Sequence, residues 1–271
     1  KRMQAFGFEE FGEYTRAQAA AEKAIELEPN DPWATHAYAH VMEMQDRQDE
    51  GLAWIERLRP HWTQANNFQN HIWWHEAMMM MDRGRMDDVM AQYDAHVFEP
   101  DSEEYLDICN ATSLLQRLEI MGLDVGGRWA PLADKVRERT EEHILTFVDM
   151  HYLLALAAVG DGKAHEMREF LAAYEGDEAD SNLPIMKALG VPMADAIIAY
   201  RDGRYDDATA AILAKIGDEE IPHVAAGVRW FDFLCDRRGL DPATTFQDLI
   251  RARFKGRLNG PFNRAARDEA G

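Results

Sequence analysis

Apolar residues recur three and four positions apart along almost the whole chain, and no segment alternates polar with β-branched residues at a period of two. The pattern predicts an all-α protein. Helices are read at 1–13 and 15–28, 33–45 and 48–58, 67–82 and 85–97, 103–121 and 129–140, 143–159 and 163–174, and 185–201 and 205–215. A terminal pair follows near 223–238 and 242–255. Asp31-Pro32, Gly122 to Gly127, Glu175 to Asn182 and Ile216 to Pro222 read as loops, because these residues start turns or stop helices. Met78 to Met81 would cover every side of a helix, so that helix is expected to be buried; adaptable packing is the plain reading and a compliant wall for an apolar ligand the sharper one.

Repetition fixes the fold class more narrowly. From Gly12 the chain reads GEYTRAQAAAEKAIELEPNDPW, with small Ala17 and Ala24 seven apart and Pro29 closing the helix. This resembles the second half of a tetratricopeptide repeat, where small residues let two antiparallel helices approach. Weaker copies lie around Gly84 and Tyr93, around Gly162, and around Gly203, Tyr205 and Ala208. Together they predict about six hairpins at ~34-residue spacing. The expected architecture is a right-handed superhelix of stacked antiparallel helix pairs, a tetratricopeptide-repeat-like α-solenoid. Residues 1–256 would form one helical domain, and 257–271 a C-terminal tail.

Particular strings extend the likeness. HAYAHVMEM at His36 to Met44, NHIWWHEAM at Asn70 to Met78, YDAH at Tyr93 to His96, SLLQRLEIMG at Ser113 to Gly122, Arg128-Trp129 and DMH at Asp149 to His151 occur in this order. In this the chain resembles the tetratricopeptide repeat protein 38 family over roughly residues 5–200. The resemblance implies the repeat fold and leaves the chemistry open. It also implies that a segment precedes Ala5, so the chain is read as a piece of a longer protein. Asn110 and Gln116 depart from the aspartate and tryptophan the family pattern carries, and the region after Ile221 does not resemble the family ending.

Charge narrows the partners. Against 29 Lys plus Arg the 271 residues carry 49 Asp plus Glu, a formal net charge of -20 with no basic run to offset it. Such a surface repels phosphate backbones, so neither nucleic acid nor an anionic membrane is an expected partner. No stretch approaches ~18 consecutive apolar residues. Cys109 and Cys235 form neither a disulfide framework nor a cysteine metal site, which points to a reducing compartment and a cytoplasmic location.

Histidine is the candidate chemistry. His36 and His40 are four apart on one predicted helix, His71 and His75 four apart on the first helix of the next pair, and the two pairs are offset by 35 residues. Four-residue spacing puts both rings of a pair on one helix face. Stacking of the hairpins should turn both faces toward one concave groove. Glu43 lies near His40, Glu76 adjoins His75, and Asp149 and His151 lie on a corresponding later helix. Imidazoles in this pattern could hold Zn or Fe, with a carboxylate or third-helix histidine completing a site for hydrolysis or oxygen chemistry. The chain lacks the HExxH of a metalloprotease. The alternative is that the rings pack in the groove floor with Trp33, Tyr38, Trp73 and Trp74, and donate to carboxylates such as Glu43.

Asp107, Asn110, Ser113, Gln116 and Arg117 share the first helix of the fourth pair. Arg117 could anchor a carboxylate or pair with Asp107. No phosphate loop, serine-hydrolase elbow or dinucleotide fingerprint is present. Two functions follow. The first is a binding protein whose groove, lined by Trp33, His36, His40, Glu43, His71, Trp74, His75, Asp107, Asn110, Arg117, Asp149 and His151, holds a peptide or small organic ligand. The second is a metal-dependent enzyme centred on His36, His40, His71 and His75.

Overall fold

The computed structural model describes residues 2–176, 179–209 and 231–253. The readings at 210–230, of the terminal pair after Arg253 and of the 257–271 tail lie outside the described residues. Within them the chain is helical and forms no strand. Five antiparallel pairs come first: α1 (Arg2–Glu10) with α2 (Tyr14–Leu27), α3 (Pro32–Met44) with α4 (Gln48–Trp62), α5 (Phe68–Asp82) with α6 (Met86–Gln92), α7 (Tyr105–Ile120) with α8 (Trp129–Val136), and α9 (Thr146–Ala158) with α10 (Lys163–Ala173). Next come α11 (Leu183–Ile185), a π turn at Met186–Gly190 and α12 (Val191–Arg201), which run on as one helical stretch; Pro242–Arg253 forms the last helix.

The contacts follow one rule. Helices α1, α3, α5, α7, α9 and α12 touch in succession as a row, and the second helix of a pair packs on its own partner and on the first helix of the next pair, except in the third pair, where the turn at Tyr93–Val97 makes the contact with α7. The core lies between these two layers, with Ile55, Trp62, Ile72, Met79, Leu114, Leu115, Leu118, Leu132 and Tyr152 fully buried. Each such side chain contributes about 1.5–3 kcal/mol of burial free energy. Ala17, Ala21 and Ala24 are buried on α2, where their size allows close helix approach.

Each hairpin turn depends on one left-handed residue. Gly12, Gly84, Gly122, Gly160 and Gly203 have positive φ, and Asp46 takes that place in the second hairpin at φ 56°. The turn is a helix C-cap: Gly84 N–H donates to the Met81 carbonyl and Arg85 N–H to that of Met80. The middle turns fall at residues 46, 84, 122 and 160, so the spacing there is 38 residues and not the expected 34 or so. The third copy turns at Gly160, two residues before the Gly162 that marks it in the sequence pattern.

Several helix ends differ from the reading. The pattern predicts a helix over 48–58, but α4 runs to Trp62 through Pro60, because buried Leu58 and Trp62 hold its last turn and the Trp62 indole donates to the Ile55 carbonyl. The missing proline N–H matters little so close to a helix end. The segment 85–97 changes at Tyr93–Val97 to a π turn around buried Tyr93. Helix α9 starts at Thr146, not 143, since His143 has φ 45°, and α8 ends at Val136, not 140. Leu183–Arg201 is long and apolar enough by mean composition to cross a membrane, although it includes Lys187 and Asp195 and 39% of that stretch is buried. Here α12 packs on α9 and α10, and its Asp195 pairs with Arg168 at 2.8 Å.

Candidate metal centre

Helices α3 and α5 lie side by side in the row, which aligns their histidine faces. Asp31 starts α3 by accepting from the Trp33 and Ala34 amides, with Pro32 in the first turn. Four imidazoles then meet. His36 Nε2 lies 2.9 Å from His40 Nε2 and 3.0 Å from His71 Nε2, and His71 Nε2 lies 3.2 Å from His75 Nε2. One ring nitrogen from each of the four falls within 4.8 Å of all the others.

The outward nitrogens decide what the inward ones are. His75 Nδ1 is 3.1 Å from Glu43 Oε2, and His40 Nδ1 is 3.5 Å from Glu9 Oε2. The Glu43 carboxylate accepts from His75 Nδ1, which leaves the His75 Nε2 lone pair facing inward, whereas Glu9 Oε2 lies at charge-pairing distance from His40 Nδ1 without a hydrogen bond. His71 Nδ1 is held by Asn110 Oδ1 at 3.3 Å. His36 Nδ1 is buried without a partner. A proton on His36 Nε2 can serve one of its two inward neighbours well and leaves the other facing a lone pair.

Burial keeps the rings neutral. His36 and His75 are each 4% exposed, whereas His40 and His71 are half-buried and open on one side. Desolvation, reinforced by the neighbouring imidazoles, pushes His36 and His75 well below the usual histidine range. It brings His71 down to about 4, against the Asn110 bond, and lowers His40 despite Glu43. Burial raises Glu9 and Glu43 above the usual carboxylate range. Neutral imidazole is the form that binds metals. Aromatic rings wall the cluster: Phe6 stacks on His36 at 5.9 Å, Phe68 meets it edge-on at 5.1 Å, and Trp74 stacks on His71 at 5.6 Å.

The other candidate residues are dispersed. Glu76 points the opposite way, to Arg59 at 2.6 Å and Gln92 at 3.1 Å. Asp149 is buried against His143 at 3.4 Å and does not join the cluster; two residues along a helix turn it to a different face from His151. His151 donates to the Phe147 carbonyl at 2.7 Å and is half-buried on α9. Asp107 accepts from Ser102 at 2.6 Å, Asn70 at 3.1 Å and Asn67 at 3.3 Å, so it pairs neither with Arg117 nor with the imidazoles. Trp33 is 45% exposed and stacks on Phe68 at 4.2 Å. Adjacent Trp73 and Trp74 do face different ways: Trp73 is buried against Trp62 and His96, while Trp74 donates to Ser113 Oγ at 3.1 Å. Met79, Met80 and Met81 are buried and Met78 is half-buried, as packing residues. A polar cleft of ≈ 610 Å³, whose lining includes Asn67, Asn70, Tyr105 and Arg139, takes in none of the four histidines.

Sequence reasoning missed Glu9, Phe6 and Phe68. Glu9 stands 34 residues before Glu43 and faces His40 Nδ1 at 3.5 Å from the preceding helix pair, so aligning the repeats would have exposed it. Cys109 and Cys235 are both buried free thiols.

Residues 185–271 match a family described as "Protein of unknown function (DUF455)". The match covers less than a third of the chain. It begins in the 183–201 helical stretch, beyond every residue of the four-histidine cluster, and takes in the region after Ile221 that departs from the tetratricopeptide repeat protein 38 pattern. No solved structure matches the chain.

Proposed function

We propose that this protein is a helical-repeat metalloprotein in which His36, His40, His71 and His75 together bind one first-row divalent ion, Zn or Fe by ligand type. The observation that carries the reading is the convergence of one ring nitrogen from each of the four histidines, with His75 and His71 held from outside by Glu43 and Asn110. A single cation accepts all four lone pairs, whereas protons leave some of them facing each other. Carboxylate–histidine pairs of this kind orient a ligand ring and raise its basicity. The ion would also join the second helix pair to the third, so loading it stabilises the fold.

The contact rule between pairs supports the stacked-hairpin solenoid as the scaffold, and the left-handed turns give it a regular repeat. Exposed Trp33 and Arg117 favour a ligand-binding role for the surface beside the centre, which links the metal reading to the groove reading. The test is titration of chelator-treated protein with Zn²⁺, Fe²⁺ and Co²⁺, followed by calorimetry and melting. Saturation near one ion per chain with a raised melting temperature is expected. Protein that saturates with none of them and melts unchanged would refute the metal centre.

A further inference from the structure

Helix α1 covers one side of the histidine cluster. It packs on α2 and α3, and its Phe6 stacks on His36 at 5.9 Å and meets His40 edge-on at 5.8 Å. Nine residues with Gly7 near the centre make a helix that holds only by its packing, since so short a helix is marginal alone and a mid-helix glycine weakens it further. Its buried side chains are Ala5 and Glu9, four apart and so on one face. One of the two anchors of this helix is therefore a carboxylate.

Glu9 is 8% exposed, its Oε2 accepts no hydrogen bond, and burial together with the charges of Glu10 and Glu43 raises its pKa. A buried acceptor left without a donor works against the docking of its own helix. Oε2 faces His40 Nδ1 at 3.5 Å, and the state of that nitrogen is set on the other side of the ring. His40 Nε2 and His36 Nε2, 2.9 Å apart, need one proton between them. When His40 supplies it, its Nδ1 turns a lone pair to Glu9, which fits a contact without a hydrogen bond. An ion on Nε2 removes that option: the ring then keeps its proton on Nδ1 and gains positive character, as metal-bound histidines do when they donate to a carboxylate. A charge-assisted bond is about 2.7–2.9 Å long, so Glu9 closes by less than about 1 Å.

We infer, resting on the metal reading, that helix α1 is an ion-dependent cover: the ion fixes the His40 proton on Nδ1, Glu9 accepts it, and α1 is pinned over the His36–His40 side. Without the ion the same carboxylate loosens α1 and opens the way to the cluster. Glu43 is the internal comparison, because it accepts from His75 Nδ1 but belongs to α3, a helix of the cluster itself.

Amide hydrogen exchange of α1 is followed in chelator-treated and zinc-saturated protein at one pH, with zinc content measured on the same samples. Loading is expected to slow exchange in α1 at least about tenfold in the wild type. Glu9→Leu, which removes the acceptor at similar size, is expected to hold zinc at saturating concentration, to slow α1 exchange in the metal-free protein, and to reduce the response to zinc to about twofold or less. Glu43→Gln is expected to keep the wild-type response. Equal slowing by zinc in the wild type and Glu9→Leu, or a zinc-loaded wild type whose α1 exchanges as fast as without metal, overturns the cover and leaves the metal centre intact. So does a metal-free Glu9→Leu whose α1 exchanges faster than that of the wild type. Failure of the wild type to take up zinc overturns both.

Discussion

Replacement of His36 or His75 by alanine is expected to reduce bound metal from about one ion per chain to a trace. These two rings are the most buried of the four, and His36 is the one that touches both of the half-buried rings at 3.0 Å or less. Losing an outer partner of a metal-bound histidine costs about 10–100-fold in affinity, and losing the histidine itself should exceed that. The rise in melting temperature on loading should vanish with the metal. His61→Ala is the control, since exposed His61 bonds Asn30 away from the cluster. Elemental analysis of the three variants decides the point: metal retained by His36→Ala, or lost by His61→Ala, contradicts the assigned ligand set.

The second large effect is acid sensitivity of the metal-free protein. Burial holds the pKa of His36, His40, His71 and His75 below the unfolded value of about 6.5, so the unfolded chain binds protons that the folded chain refuses. Their contribution to stability is therefore complete above the unfolded pKa and is lost as pH falls through 6.5 toward the folded values. Each ring can withdraw up to about 1.4 kcal/mol per pH unit in that window. Glu9 and Glu43 act in the opposite sense: their raised folded pKa values favour the folded state as they take up protons, and they offset some of the loss. With several rings against two carboxyls, the melting temperature in chelator should drop from pH 7.0 to 5.5. His71→Asn should flatten the slope. A constant or rising melting temperature over that interval counts against neutral, desolvated imidazoles.

How much is legible in the sequence follows the range of the forces. Four-residue spacing within each pair and a 35-residue offset between pairs are enough to aim His36, His40, His71 and His75 at one place, because helix geometry and hairpin stacking carry both regularities. Asn110 reads as a groove residue from sequence alone, but its position against His71 comes from the α5–α7 contact, which sequence spacing does not fix. Asp149 is misplaced by sequence for a related reason: it is near His151 along the chain, but its face of α9 turns to buried His143. The expectation of an open groove also needs amending, since Phe6 and Glu9 on α1 cover the His36–His40 side. The first helix contributes little to any motif, so its role in the site becomes visible only with the packing. Asp46 hides one hairpin turn, because a left-handed aspartate gives a weaker signal than glycine.

The most direct measurement is X-ray absorption at the metal edge of zinc- or cobalt-loaded protein. The structure calls for four imidazole nitrogens at roughly 2.0–2.2 Å, with the outer-shell scattering of rigid rings. A shell dominated by oxygen, or one that holds fewer than three imidazoles, would contradict the convergence of His36, His40, His71 and His75 on a single ion.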